Sequence, residues 1–185
     1  MGESFLSSNT KPGVVRRLLL LRHAHAGMAQ SGLDTERTLT ERGLAEALEV
    51  GAIMAAEGFL PNLAVISPAQ RTRQTWAQVQ KRLPSAVQCL YEGNIYEAGV
   101  STLLDIVNVQ PDSRQTLLLV GHNPGIQGLA LKLTGRGSKN AVVRLRHEFP
   151  PASLAVITFP DAQRWADIEE RTGILEHFIT PSPVI

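Results

Sequence analysis

Four consecutive leucines, Leu18 to Leu21, stand between Arg17 and the pair Arg22-His23. The run is too short for an isolated helix and lacks polar alternation, so it reads as a strand buried on both faces. Such a strand needs a layer of helices on each side of its sheet, which narrows the chain to α/β architectures. Its carboxyl end delivers an arginine and a histidine, and ligands of open α/β sheets bind at that edge. The pair suggests a histidine that attacks, or is offered, a phosphoryl group.

The pattern recurs along the chain. Apolar residues at Leu44, Ala47, Leu48, Gly51, Ala52 and Ala55 form a helical stripe, with Thr40 as N-cap and Gly58 as its stop. A second buried strand follows at Leu63-Ala64-Val65-Ile66. Ser67-Pro68 then reads as an N-cap with proline at the first helical position, opening a helix with Thr72, Thr75, Trp76, Val79 and Leu83 on one face. Val87–Leu90 is a short strand, 91–100 a loop, and Ser101 opens a helix carrying Leu103, Leu104, Ile106 and Val107. Thr116 to Val120 is the third plainly buried strand, followed by a helix with Ile126, Leu129, Ala130 and Leu133 that stops at Gly135. Leu154–Phe159 and residues 164–169 read as further strands. Strands alternating with helices predict a three-layer α/β fold, its mainly parallel central sheet covered by helices on both faces.

With 185 residues the chain is long enough for one such domain, taken as 15–185 after a flexible N-terminus at 1–14. No apolar segment approaches the roughly 18 residues of a membrane span, and the N-terminus lacks the apolar core of a secretory signal. The single cysteine, Cys89, makes no internal disulfide and fits a reducing cytoplasm. Ile95 rather than arginine stands six residues on, which excludes a thiolate phosphatase loop. A formal net charge of +1 argues against a nucleic-acid binder. Basic character is local: Arg136, Lys139, Arg144 and Arg146 read as a solvated loop, with an acidic partner protein as the alternative.

Three strands end in polar residues before a helix or loop: Arg22-His23, Ser67 leading to Arg71, and Gly121-His122. Parallel strands bring these ends to one edge, gathering two arginines and two histidines. Forked guanidinium donors suit a dianionic phosphoryl group, and Arg71 in the first turn of its helix adds that helix's positive end.

In these motifs the sequence resembles the histidine phosphatase superfamily, with its phosphoglycerate-mutase-like fold. The matching segments are Arg22-His23-Ala24, Ser67-Pro-Ala-Gln-Arg71-Thr-Arg-Gln-Thr75, Gly121-His122-Asn123-Pro124-Gly125 and Leu39-Thr40-Glu41-Arg42-Gly43. The short chain and the Gly-His-Asn-Pro-Gly form look most like the compact bacterial phosphohistidine phosphatases. The resemblance implies that His23 becomes phosphorylated, and that Arg22, Arg71 and His122 bind the phosphoryl oxygens, without a metal or other cofactor. Ala24 departs from the family's usual glycine, placing a methyl where the backbone is expected to pass close to phosphate. Larger relatives take a general acid from the segment after the second helix; Glu92 and Glu97 are the candidates here, Glu97 preferred because it directly precedes the Ser101 helix. Asn123 beside His122 is a further candidate for holding substrate. His25, which shares a face of an extended chain with His23, either lines the pocket or only edges the loop.

The implied reaction has two steps: in-line attack by neutral His23, then hydrolysis of the phosphohistidine enzyme by water. Expelling an imidazole, whose conjugate acid has a pKa near ~6.5, needs less help than expelling an alkoxide. A compact site with strong clamps and a weak acid therefore suits P–N substrates, which makes a phosphohistidine-bearing protein the expected partner. A small phosphorylated metabolite on the same site is the runner-up. Two other classes compete: a metal-dependent hydrolase built on His23-x-His25, and a phosphohistidine-binding module without turnover.

Overall fold

The leucine run sits at the centre of a seven-stranded sheet. In the structure, a computed structural model describing residues 15–29 and 32–181, it forms β1 (Arg16–Arg22). All four leucines are fully buried. Leu18 and Leu20 enter the apolar cluster on one face, Leu19 and Leu21 that on the other, as the period of two dictates. Burial of each side chain stabilises the sheet by ~1.5–3 kcal/mol. The expected flexible segment 1–14 lies outside the described residues.

The other elements are α1 (Glu41–Ala56), β2 (Leu63–Ile66), α2 (Gln70–Gln80), β3 (Gln88–Tyr91), α3 (Val100–Asn108), β4 (Thr116–Gly121), α4 (Gly125–Leu133), β5 (Thr134–Gly137), α5 (Lys139–His147), β6 (Leu154–Phe159) and β7 (Gly173–Ile179). The strand order is β3-β2-β4-β1-β6-β7-β5. β1 to β4 are mutually parallel, β6 runs antiparallel to both its neighbours, and β5 is parallel to β7. Helices α1 and α2 cover one face, while α3, α4 and α5 cover the other. The architecture is thus the three-layer, mainly parallel α/β sandwich expected. Among the described residues no helix is long and apolar enough to cross a membrane.

Several local expectations need correction. The buried face of α1 is Gly43, Glu46, Ala47, Val50, Gly51 and Met54, rotated from the expected stripe, and Ala52 is exposed. The reason is close helix packing, which puts the smallest residues rather than the leucines against the neighbour: a Cβ at Gly51 would lie 2.6 Å from the Val79 carbonyl oxygen of α2. Ser67 does not cap α2, which begins at Gln70 with Ala69 at the cap position. Helix α4 ends at Leu133, and the next residues form β5. Residues 164–169 form a 3₁₀ turn at Trp165–Asp167, closed by Asp167 accepting from the Arg164 backbone, and the strand follows as β7. The basic run 136–146 is β5 and α5 rather than a loop; Ser138 caps α5 and Leu145 anchors it.

Thr40 does cap α1, its Oγ1 accepting from Gly43 N–H. The helix start is pressed against the chain leaving β1: Thr40 N–H donates to the His25 carbonyl, and a Cβ at position 43 would lie 2.0 Å from that oxygen. Gly43 is therefore required by backbone proximity. Replacing Gly43 by alanine should destabilise the fold by about 2–4 kcal/mol, as backbone clashes without a flexible neighbour do. Equilibrium urea unfolding checks this; a loss below about 1 kcal/mol would show that α1 shifts freely.

Candidate active site

The ends of β1, β2 and β4 meet at one edge because these strands are parallel neighbours. His23, directly after β1, is 8% exposed and forms the floor. Its Nδ1 lies 2.8 Å from the Ala24 carbonyl oxygen. A carbonyl only accepts, so the ring proton sits on Nδ1 and Nε2 keeps its lone pair. Burial is the main cause that lowers the His23 pKa to about 4, with Arg71, Arg22 and Arg37 adding repulsion against the hydrogen bond to Ala24, which acts the other way. The neutral ring expected of His23 is thus kept neutral first by desolvation. Its NMR signals should remain those of a neutral imidazole at about pH 5.5, where free histidine is mostly protonated. A midpoint near 6.5 would contradict the buried floor.

His122, directly after β4, packs its ring 5.4 Å from that of His23. Its Nε2 meets Ser67 Oγ at 2.7 Å, and Ser67 is fully buried at the end of β2. When the hydroxyl donates to Nε2, the ring proton lies on Nδ1, a buried atom without a protein partner. Burial first, then Arg71 and His23, lower the His122 pKa to about 3. A neutral His122 ring can offer a hydrogen bond from Nδ1 but no charge, and the positive charge beside it belongs to Arg22 and Arg71.

Arg71, in the first turn of α2, is 5% exposed. Arg22 donates from Nη1 to the Phe149 carbonyl at 2.7 Å. The Nε atoms of both are buried and unpartnered, as is Asn123 Oδ1. Buried donors without partners demand an acceptor, and two guanidinium N–H groups beside a histidine pair make an anion site. Ala24 lies wholly within the core against α1 and α2, so its methyl is not turned toward this site. Its N–H donates to Thr75 Oγ1 at 3.0 Å, and that hydroxyl donates to the Arg71 carbonyl at 2.7 Å, tying the floor to the arginine helix.

A cavity of about 410 Å³ opens beside His122, walled by Arg71, Glu97, Asn123 and Gly125 among others. Glu97 is exposed and holds φ +52°, a left-handed conformation that costs a non-glycine residue roughly 1–2 kcal/mol. Glu92, the other acid considered, accepts from Asn94 N–H and caps the 3₁₀ turn Gly93–Ile95. Asn123 donates weakly to Gln127 and to the Phe149 carbonyl. His25 turns to the start of α1, with Nδ1 2.9 Å from Thr40 Oγ1, and its backbone N–H donates to the buried Glu46. Of the two places open to it, the structure gives His25 the loop edge. Among the described residues no three histidine, cysteine, aspartate or glutamate side chains group to hold a metal ion.

Three further residues reach the site without having been singled out in the sequence. Asp34, in the 3₁₀ turn Asp34–Glu36, binds Arg71; Arg37 binds Asp34; and Tyr96 donates to Asp34 while its ring edges His122. The available signal was the density of charge in the loop just after the first strand.

Residues 18–98 match the model of the histidine phosphatase superfamily (branch 1). An uncharacterised protein of Mycobacterium tuberculosis is 31% identical over 163 residues, covering 87% of this chain and 99% of that protein. A solved structure from Nakamurella multipartitia, provisionally assigned as the phosphohistidine phosphatase SixA, is 31% identical with a TM-score of 0.78, covering 92% of this chain and 99% of the other. One from Agrobacterium tumefaciens with the same provisional assignment is 30% identical with a TM-score of 0.73, over 90% of this chain and 99% of the other.

Proposed function

The chain belongs to the histidine phosphatase superfamily (branch 1), and from that premise we propose that it is a metal-independent phosphatase that removes phosphoryl groups from phosphohistidine in a protein. The observation that carries the reading is the buried His23, its Nε2 lone pair free, beside the unpartnered donors of Arg22 and Arg71. Phosphatase chemistry follows from that set. His23 Nε2 attacks phosphorus in line while the leaving group departs on the opposite side. The two guanidinium groups and the His122 N–H take the charge that grows on the equatorial oxygens. Water then cleaves the phosphohistidine enzyme and regenerates neutral His23.

The choice of a phosphohistidine substrate rests on the mouth of the site. Its exposed acid, Glu97, stands on a strained loop rather than in a buried pocket, and an imidazole leaving group tolerates a weak acid. The likeness to the Nakamurella and Agrobacterium proteins supports the same choice. Glu97 on the cavity wall with Arg71 and His122 favours a second reading, a small-molecule phosphomonoesterase in which that carboxyl protonates an alcohol.

The test is phosphate release from a histidine-phosphorylated carrier protein and from a panel of small phosphomonoesters, without added metal. A higher kcat/KM on the phosphohistidine protein, lost in His23→Ala, is the expected result. Higher values on an ester would move the function to metabolite phosphatase. Bound phosphate without turnover on either would leave a binding module.

A further inference from the structure

In-line displacement at a buried floor fixes where the leaving group must be. His23 is 8% exposed, so the atom that leaves phosphorus lies on the outward side, at the mouth. The groups on that side are the exposed Asp34 and Glu97 and the half-buried Tyr96.

Asp34 is held far more firmly than an exposed loop residue requires. Arg71 Nη1 donates to its carbonyl at 2.7 Å and Nη2 to Oδ2 at 2.8 Å. Tyr96 Oη donates to the same Oδ2 at 2.8 Å, and Arg37 Nη1 to Oδ1 at 3.1 Å. Arg71 spends its two Nη atoms on this grip, whereas its buried Nε has no protein partner. A guanidinium has five donors in a rigid plane, so the Nε edge can take a phosphoryl oxygen while the outer edge keeps Asp34. The carboxylate then stands one guanidinium away from the transferred group, on the side toward solvent; its side chain is 46% exposed.

We infer that Asp34 meets the leaving imidazole of a phosphohistidine substrate, its carboxylate accepting a hydrogen bond from the protonated ring nitrogen that is not bonded to phosphorus. This inference rests on the phosphohistidine reading and assigns the residue that makes the site prefer P–N to P–O bonds. The step balances as follows. The His23 Nε2 lone pair forms the new N–P bond, and the pair of the breaking P–N bond returns to the substrate ring. The proton on the ring's second nitrogen stays there throughout, so a neutral imidazole leaves instead of an imidazolate anion. A carboxylate facing that N–H⁺ keeps the ring protonated until the bond breaks. The same carboxylate repels a leaving group that gathers negative charge, such as a phenolate.

The surroundings keep Asp34 ionised for this role. The Tyr96 hydroxyl first, then Arg37 and Arg71, hold its carboxyl at about 2 against the opposing cost of partial burial. The charged and titratable groups facing it are Arg71 of α2, Arg37 after the 3₁₀ turn, Tyr96 and Glu97 of the loop before α3, and His122 after β4.

The test measures kcat/KM for a chemically phosphorylated histidine peptide and for p-nitrophenyl phosphate, with wild type, Asp34→Asn and Asp34→Glu. Asparagine keeps the shape and loses the charge. Asp34→Asn is expected to lower kcat/KM on the peptide by about 10–100-fold, the worth of one charge-assisted hydrogen bond, and to change the ester value by far less, so that the peptide-to-ester ratio falls. The fall of peptide cleavage with rising pH should begin at lower pH in Asp34→Asn, and Asp34→Glu should recover part of the loss. Parallel losses on both substrates would overturn the inference and leave Asp34 as a support for Arg71. Parallel gains would overturn it too, making Asp34 a competitor of the phosphoryl group. If Asp34→Asn does not fold, Tyr96→Phe serves, with a smaller loss of the same substrate selectivity expected and an unchanged selectivity counting against. Wild type that cleaves the ester but not the peptide would overturn the phosphohistidine reading itself, and the wild-type arm alone shows that.

Discussion

His23→Ala is expected to lower kcat/KM by a factor on the order of 10⁵ or more on every phosphorylated substrate, since a covalent route loses its nucleophile outright. Binding should survive. The proposed anion site is built from Arg22, Arg71 and His122, which are held by the Phe149 carbonyl, Asp34 and Ser67 rather than by the His23 ring. Inorganic phosphate should therefore bind the variant within about threefold of wild type, because the guanidinium donors that dominate such affinity remain. Quenched-flow trapping with labelled substrate gives the decisive readout. Wild type should carry an acid-labile, alkali-stable label on His23 and the variant none; turnover retained in the variant would place the nucleophile elsewhere.

Arg71 carries the second large effect. Its alanine variant should lose about 10³–10⁵ in kcat/KM, the range seen when a guanidinium that stabilises a transferring phosphoryl group is removed. Arg71→Lys should recover little, because an ammonium cannot present an unpartnered Nε edge and two Nη donors at once. Charge and geometry separate in the titration of His23. Arg71 is the foremost of the cations that lower its pKa, so Arg71→Ala should raise that pKa, while Arg71→Lys should leave it near the wild-type position. NMR titration beside kinetics makes the distinction: a lysine variant with normal rate would reduce the role of Arg71 to a point charge.

What the sequence disclosed was whatever hydrophobic burial writes into it. Leu18–Leu21 and Thr116–Val120 announce strands because both their faces are covered, and the α4 stripe at Ile126, Leu129, Ala130 and Leu133 is the buried face found. The segments that misled are those where a different force governs. The face of α1 is chosen by how closely two backbones approach, so glycines outrank leucines there. Strand β7 breaks its own alternation with the exposed Glu176-His177, while Trp165 and Ile168 mimic a strand from within a turn. In the site, Arg22, His23, Arg71 and His122 were readable because strand ends and a helix start fix their positions. Asp34, Arg37 and Tyr96 were not, since loop residues find their partners through folded geometry alone; Arg71 and Asp34 are 37 residues apart. Ser67 reads in the sequence as a helix N-cap, whereas its hydroxyl meets the His122 ring.

The central place of β1 also has a temporal consequence. Its two sheet neighbours, β4 and β6, both come much later in the chain, and the carbonyl that orients Arg22 belongs to a residue 127 positions downstream. A ribosome therefore releases His23 early, at the end of a strand with nothing yet to pair with. His23 acquires its dry surroundings when the last third of the chain arrives to close the sheet around it. Long-range pairing of this kind slows folding, and it makes assembly of the site coincide with closure of the sheet.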